Sequence, residues 1–165
     1  MIDYKNYIDS VPNFPKDGIL FRDIQPLLEN KRVFFDAIYD MGNMIDLQNV
    51  DYFVGIESRG FIFASALASI KFKGFKMIRK VGKLPNSDNN LHTVEYDLEY
   101  GKDSIQMKSG KGNVVIVDDV YATGGTMEAA NKLCNISGYN VVDKLCLMDI
   151  GIVQHHDVKC LIKYA

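Results

Sequence analysis

One segment restricts this chain more than any other: residues 114–126, Val-Val-Ile-Val-Asp-Asp-Val-Tyr-Ala-Thr-Gly-Gly-Thr. Val114, Val115, Ile116 and Val117 leave no polar face, so they read as a strand buried on both sides. Asp118 and Asp119 follow directly, so the strand delivers two carboxylates to the edge of a sheet. Gly124 and Gly125 let the chain turn sharply into a helix predicted to reach about Ile136, with Gly138 just beyond its end. The N–H groups that open such a helix, with the hydroxyls of Thr123 and Thr126, form an anion site. No glycine-rich loop ending in Gly-Lys-Ser or Gly-Lys-Thr occurs, as a nucleoside triphosphate would require. A cradle without lysine suits a single phosphate. The two carboxylates would repel that phosphate, so Asp118 and Asp119 face something else, a sugar diol or a cation.

A second strand-to-helix turn has the same character. Residues 52–55 predict a strand and residues 61–70 an apolar helix, joined by Glu57-Ser58-Arg59-Gly60. Arg59 offers a cationic fork suited to phosphate oxygens. Arg79, Lys80 and Lys83 add positive charge downstream; alone they would read as a solvated edge. Two such loops in one chain suggest a ligand with anions at both ends of a sugar.

The remaining pattern is that of one α/β domain spanning residues 1–165. A short helix is predicted over residues 4–9, after which Pro12, Pro15 and Gly18 break regular structure. Asn30 caps a helix over about 31–47, with Val33, Ala37, Ile38, Met41 and Ile45 on one face. Strands are expected at 75–79, 141–148 and 158–162. Residues 82–90 form a mobile loop. Residues 94–100 alternate apolar and acidic, which predicts a half-exposed strand turning at Gly101 into a partner at 104–107. Strand–loop–helix units imply a mainly parallel twisted sheet with helices on its faces, and ligands at the C-terminal ends of the strands.

Composition excludes several alternatives. The chain has 165 residues, 47% hydrophobic, enough for one packed core. Nineteen basic against 21 acidic residues give net −2, a poor match for a nucleic-acid binder that works by phosphate neutralisation. Three cysteines, Cys134, Cys146 and Cys160, form no C-x-x-C pair and read as buried reduced thiols of a cytoplasmic protein. No signal peptide or membrane span is visible. His155 and His156 are adjacent, a spacing that seldom converges on one metal, and read as a solvated turn.

With these residues in view, the segment 117–126 resembles the phosphoribosyl-diphosphate motif of type I phosphoribosyltransferases. Phe14-Pro15-Lys16-Asp17-Gly18-Ile19-Leu20-Phe21-Arg22-Asp23-Ile24, residues 55–61, residues 79–85 and Leu98-Glu99-Tyr100-Gly101-Lys102 narrow the resemblance to the adenine phosphoribosyltransferase branch. The resemblance implies that fold, with a small N-terminal hood (about 11–30) for the base and a mobile β-ribbon loop (about 82–107). It implies Mg²⁺-dependent transfer of ribose 5-phosphate from phosphoribosyl diphosphate to N9 of adenine in purine salvage, giving AMP and diphosphate, by a homodimer.

Carried over residue by residue, Ala122, Thr123, Gly124, Gly125 and Thr126 would hold the 5-phosphate, and Asp118 and Asp119 the ribose. Ser58, Arg59, Arg79, Lys80 and Lys83 would bind diphosphate, Lys83 across a dimer interface. Leu20, Phe21 and Arg22 would meet adenine, largely through backbone. Glu99 would handle the purine proton, Tyr100 would close over the site, and Mg²⁺ would be held mainly by substrate. Pattern alone makes Glu99 part of a wet strand face; the resemblance singles it out. Relatives acting on 6-oxopurines carry aspartate where Ala122 stands, which implies adenine. Val81 replaces the usual proline, and the short 108–113 connection leads us to expect a cut-back strand before it. Two rivals remain at this point: a non-catalytic regulator on the same scaffold, and transfer to another base.

Overall fold

The segment that dominates the sequence becomes a strand deep inside the sheet, and a longer one than expected. The computed structural model describes residues 2–86, 88–98, 101–154 and 157–164, with Leu98 by its backbone alone. After a 3₁₀ turn at Tyr4–Tyr7 come β1 (Asp9–Pro12), β2 (Leu20–Asp23), α1 (Gln25–Glu29) and α2 (Lys31–Asn43). Then follow β3 (Tyr52–Ile56), α3 (Arg59–Ile70), β4 (Gly74–Lys80), β5 (Leu91–Leu98) and β6 (Gly101–Lys108). The chain finishes with β7 (Gly112–Tyr121), α4 (Gly125–Ile136), β8 (Tyr139–Asp149) and β9 (Lys159–Lys163).

Seven strands form one sheet in the order β5-β6-β4-β3-β7-β8-β9, and β1-β2 form a separate two-stranded ribbon. From β4 to β9 the neighbours run parallel. The β5–β6 ribbon joins the β4 edge antiparallel. The fold is thus α/β with a mainly parallel sheet, as the strand–helix alternation implies.

The side-chain alternation of β7 explains its place. Val115 and Val117 pack with Phe53, Phe63 and the α2 residues Ala37 and Met41. Val114 and Ile116 pack on the opposite face with Ile56 and with Ala130 and Leu133 of α4. All four β7 residues are fully buried. Each such side chain stabilises by about 1.5–3 kcal/mol relative to exposure, and both faces need helices to cover them. The crossover β3–α3–β4 runs toward one sheet edge and β7–α4–β8 toward the other. Right-handed crossovers in opposite directions put their helices on opposite faces and open a crevice between the first strands of each. That crevice lies at the ends of β3 and β7.

Several boundaries differ from expectation. Pro12, Pro15 and Gly18 do not end regular structure: Asp9–Pro12 pairs with Leu20–Asp23 across that loop. An isolated two-stranded ribbon tolerates Pro12 because its outer edge needs no N–H donor. The first helix shortens to a 3₁₀ turn ending at Tyr7, since Asp9 already belongs to β1. Helix α2 stops at Asn43, four residues before Leu47. Arg59 lies in the first turn of α3. The strand before the short connection is not cut back: β6 runs from Gly101 to Lys108, because all eight residues find partners in β5.

Candidate active site

Two helix starts converge on the crevice. The N-cap position of α3 is Ser58 and that of α4 is Gly124, and neither makes a side-chain capping bond. The first N–H groups of both helices therefore lack a local side-chain acceptor, the condition for anion binding. Gly124 has φ +89°, and a Cβ there would lie 2.5 Å from the Tyr121 hydroxyl. Both the backbone conformation and the space demand glycine. Gly60 brings the two loops together: a Cβ on it would sit 2.7 Å from the Val117 carbonyl and 3.0 Å from Asp118 Oδ1.

β7 continues past its carboxylates to Tyr121, so Asp118 and Asp119 lie inside the strand rather than at its edge. Asp119 shares the parity of Val115 and Val117, the α3 side, and is 4% exposed. Its Oδ2 lies 2.9 Å from Arg59 Nε, but the N–H direction makes no hydrogen bond, and Oδ2 has no hydrogen-bond donor among the described residues. The Asp119 N–H donates to Asp118 Oδ1 at 3.0 Å. Burial, then the adjacent Asp119 charge, push the Asp118 carboxyl well above the ordinary range; Arg59 and the Asp119 N–H oppose this without reversing it. Asp119 is raised as well, by burial, with Arg59 pulling down. A buried, under-bonded carboxylate pair favours any partner that brings hydroxyl donors or positive charge.

A cleft of about 330 Å³ gathers most of the predicted residues: Ser58, Arg59, Lys80, Asp118, Asp119, Ala122 and Thr126 all line it. Thr123, Gly124 and Gly125 line an adjoining hollow of about 60 Å³ with Ala122 and Thr126. Arg79 and Lys83 do not line the cleft. Arg79 Nε is 3.3 Å from Glu57 Oε2, and Lys83 is exposed. Phe21 touches the site at one remove: the Arg59 guanidinium stands 5.2 Å over its ring, and Phe14 meets the ring edge-on at 5.1 Å. Leu20 is half exposed. The Arg22 guanidinium is engaged elsewhere, bonded to Ser10 Oγ and 4.0 Å over the Tyr164 ring. Glu99, Tyr100, His155 and His156 lie outside the described residues.

Three polar residues of the cleft were given no role by the sequence reading: Glu57, Tyr96 and Asp103. Glu57 accepts from the Lys80 N–H at 2.8 Å. Burial works to raise its carboxyl, but the Lys80 N–H, Arg79 and Lys83 together carry it below its usual value. Asp103 pairs with the Lys80 ammonium and accepts from the Tyr96 hydroxyl at 3.3 Å. Counting the ribbon register back from its turn would have placed Tyr96 opposite Asp103. Cys134, Cys146 and Cys160 are free and buried.

This arrangement can be compared with known proteins. A phosphoribosyl transferase domain matches residues 26–163. An adenine phosphoribosyltransferase of Hydrogenovibrio crunogenus is 53% identical over 87% of this chain and 83% of its own length. The chain belongs to the adenine phosphoribosyltransferase family. The adenine phosphoribosyltransferase structure from Thermoanaerobacter pseudethanolicus superposes with a TM-score of 0.87 at 35% identity, covering 98% of each chain. That of Saccharomyces cerevisiae, solved with adenine and an imino-altritol bisphosphate, gives 0.84 at 32% identity over 96% of each chain. As an adenine phosphoribosyltransferase, the chain is an enzyme of the type I phosphoribosyltransferase fold.

Proposed function

We propose that this chain transfers the 5-phosphoribosyl group from phosphoribosyl diphosphate to N9 of adenine, releasing AMP and diphosphate in purine salvage. The observation that carries the reading is the pair of uncapped helix starts flanking the carboxylates of Asp118 and Asp119, the second of them buried. Residues Ala122, Thr123, Gly124, Gly125 and Thr126 take the 5-phosphate on backbone N–H groups and hydroxyls. Asp118 and Asp119 accept from the ribose hydroxyls, which supply the donors that Asp119 Oδ2 lacks. Ser58, Arg59 and Lys80 receive the diphosphate. Arg79 tightens the wall through Glu57, and exposed Lys83 is free to serve the neighbouring subunit of a homodimer. Leu20, Phe21 and Arg22 form the hood wall against adenine.

As the C1′–O bond to diphosphate breaks and the N9–C1′ bond forms, the N9 proton must leave. Glu99 accepts it, and Tyr100 covers the reacting atoms against water. The donor set fits a substrate-held Mg²⁺. Asp118 and Asp119 offer oxygens beside the substrate, and Mg²⁺ favours phosphate oxygens and keeps its waters. Bound Mg²⁺ supplies charge to the leaving group. Buried reduced thiols favour a cytoplasmic setting, and among the described residues no helix is long and apolar enough to cross a membrane.

The test is AMP formation from adenine, phosphoribosyl diphosphate and Mg²⁺, with hypoxanthine and guanine in parallel. Adenine should be strongly preferred, and Glu99→Gln should lower kcat by about 10²–10⁴, the range for loss of a general acid or base. Comparable turnover of hypoxanthine would sink the base assignment. Diphosphate-sugar binding without turnover would favour a regulator instead.

A further inference from the structure

Two cations that line the cleft, and one just behind its wall, are already paired with a carboxylate: Arg59 with Asp119, Lys80 with Asp103, and Arg79 with Glu57. The Lys80 pair differs from the others in where its carboxylate stands. Asp119 and Glu57 belong to the parallel sheet and its loops. Asp103 belongs to β6, in the ribbon that leans on the β4 edge. Both strands of that ribbon meet at this one side chain: the Tyr96 hydroxyl of β5 donates to Asp103 Oδ2 at 3.3 Å, and the Ser104 N–H donates to Oδ1 at 2.8 Å. These bonds fix the carboxylate whether or not Lys80 is present. The Lys80 side chain is 41% exposed and that of Asp103 24%. The ammonium is a compact point charge on a flexible stem, able to turn to a new anion.

We infer that Asp103 is a positioning residue that competes with diphosphate for the Lys80 ammonium, and so keeps the leaving group from being held too tightly. The inference rests on the reading that Lys80 receives diphosphate. When the cleft is empty, Asp103 holds Lys80 at the wall. When diphosphate enters, its higher charge draws the ammonium across, and Asp103 keeps Tyr96 and Ser104 as partners. On release the ammonium returns. The ribbon thereby sets the residence of diphosphate without touching it.

Titration of Mg²⁺ and inorganic diphosphate into the full chain tests this in a double-mutant cycle. Asp103→Asn should tighten diphosphate binding about fivefold, the size of a half-exposed ion pair. Lys80→Met should weaken binding, and Asp103→Asn added to Lys80→Met should change nothing further. Asp103→Glu, which restores a carboxylate within reach, should bring the dissociation constant back toward that of the unmodified chain. Unchanged or weaker binding in Asp103→Asn overturns the inference. So does equal tightening on the Lys80→Met background, which would mean that the carboxylate acts by general repulsion. AMP formation by the unmodified chain is measured separately. A chain that makes no AMP but still obeys the cycle loses the proposed reaction and keeps the competition.

Discussion

Helices α2 and α4 are nearly equal in length, at 13 and 12 residues, and they begin in opposite ways. Asn30 closes the first turn of α2 with its own side chain, accepting from the N–H groups of Arg32 and Val33, both at 3.2 Å. Gly124 closes nothing on α4, and Ser58 closes nothing on α3. The helix remote from the cleft satisfies its own donors, and the two helices facing the cleft leave theirs open. A side-chain cap contributes about 1 kcal/mol relative to alanine and a few tenths relative to glycine, so the site forgoes up to about that stabilisation at α3 and less at α4 to keep donors for a ligand. The buried pair Asp118 and Asp119 continues the same logic, since its charge costs stability until a partner arrives. The comparison teaches that here a functional region shows itself as local stabilisation withheld.

Substitutions at the cleft should damage activity without damaging the fold, and substitutions at α2 the reverse. Among substitutions that test this contrast, the largest effect is expected from Gly60→Ala. Its methyl must displace the Val117 carbonyl or the start of α3, moving Arg59 and Ser58 against Asp118. A shift of about 1 Å in such a constellation costs on the order of 10² in rate, so kcat/KM for phosphoribosyl diphosphate should fall about 100-fold while the far-ultraviolet spectrum is retained. Full activity would break the idea that the two loops must touch.

Asp118→Asn sharpens the contrast in the other direction. A carboxyl raised by burial binds more protons folded than unfolded between the ordinary aspartate range and its own higher value. Stability of the ligand-free chain therefore falls as pH rises through that window. Removing the charge should raise the unfolding free energy near neutral pH, by up to about 2 kcal/mol, flatten that slope, and lower turnover. A lower melting temperature would show that Asp118 stabilises the fold. The smallest effect is expected at α2: Asn30→Ala should cost about 1 kcal/mol in denaturant unfolding and leave KM for both substrates unchanged.

The parts of the fold carried by strong local patterns were legible. The apolar run of β7, the glycines after it, Gly138 closing α4 with φ +95°, and Asn30 capping α2 each follow from residue chemistry within a few positions. The grouping of Ser58, Arg59, Lys80, Asp118, Asp119, Ala122 and Thr126 along one cleft was implied by the family resemblance; pattern alone read Lys80 as a solvated edge. What was not legible depends on contacts between distant segments. The β1–β2 ribbon hides behind prolines because its stability comes from pairing with residues 8 to 14 positions away, as between Pro12 and Leu20 or Asp9 and Asp23. Asp103 fell in the turn expected between Gly101 and a strand at 104–107, and only the antiparallel register of the ribbon brings it to Lys80. The capture of Arg59 by Asp119 was also invisible, because parity along β7 has meaning only once α3 is known to cover that face.

β7 also lies within the sheet, bonded to β3 on one side and β8 on the other, while β5 forms an outer edge. Amide hydrogens of such an interior strand exchange with solvent only when the domain as a whole opens, whereas edge strands exchange through local fraying. Residues 114–117, the stretch of β7 paired on both sides, are thereby tied to a slow clock, and the outer edge of the ribbon to a faster one. Over the lifetime of one folded molecule that edge can part and re-form many times beside a stem for Asp118 and Asp119 that stays closed.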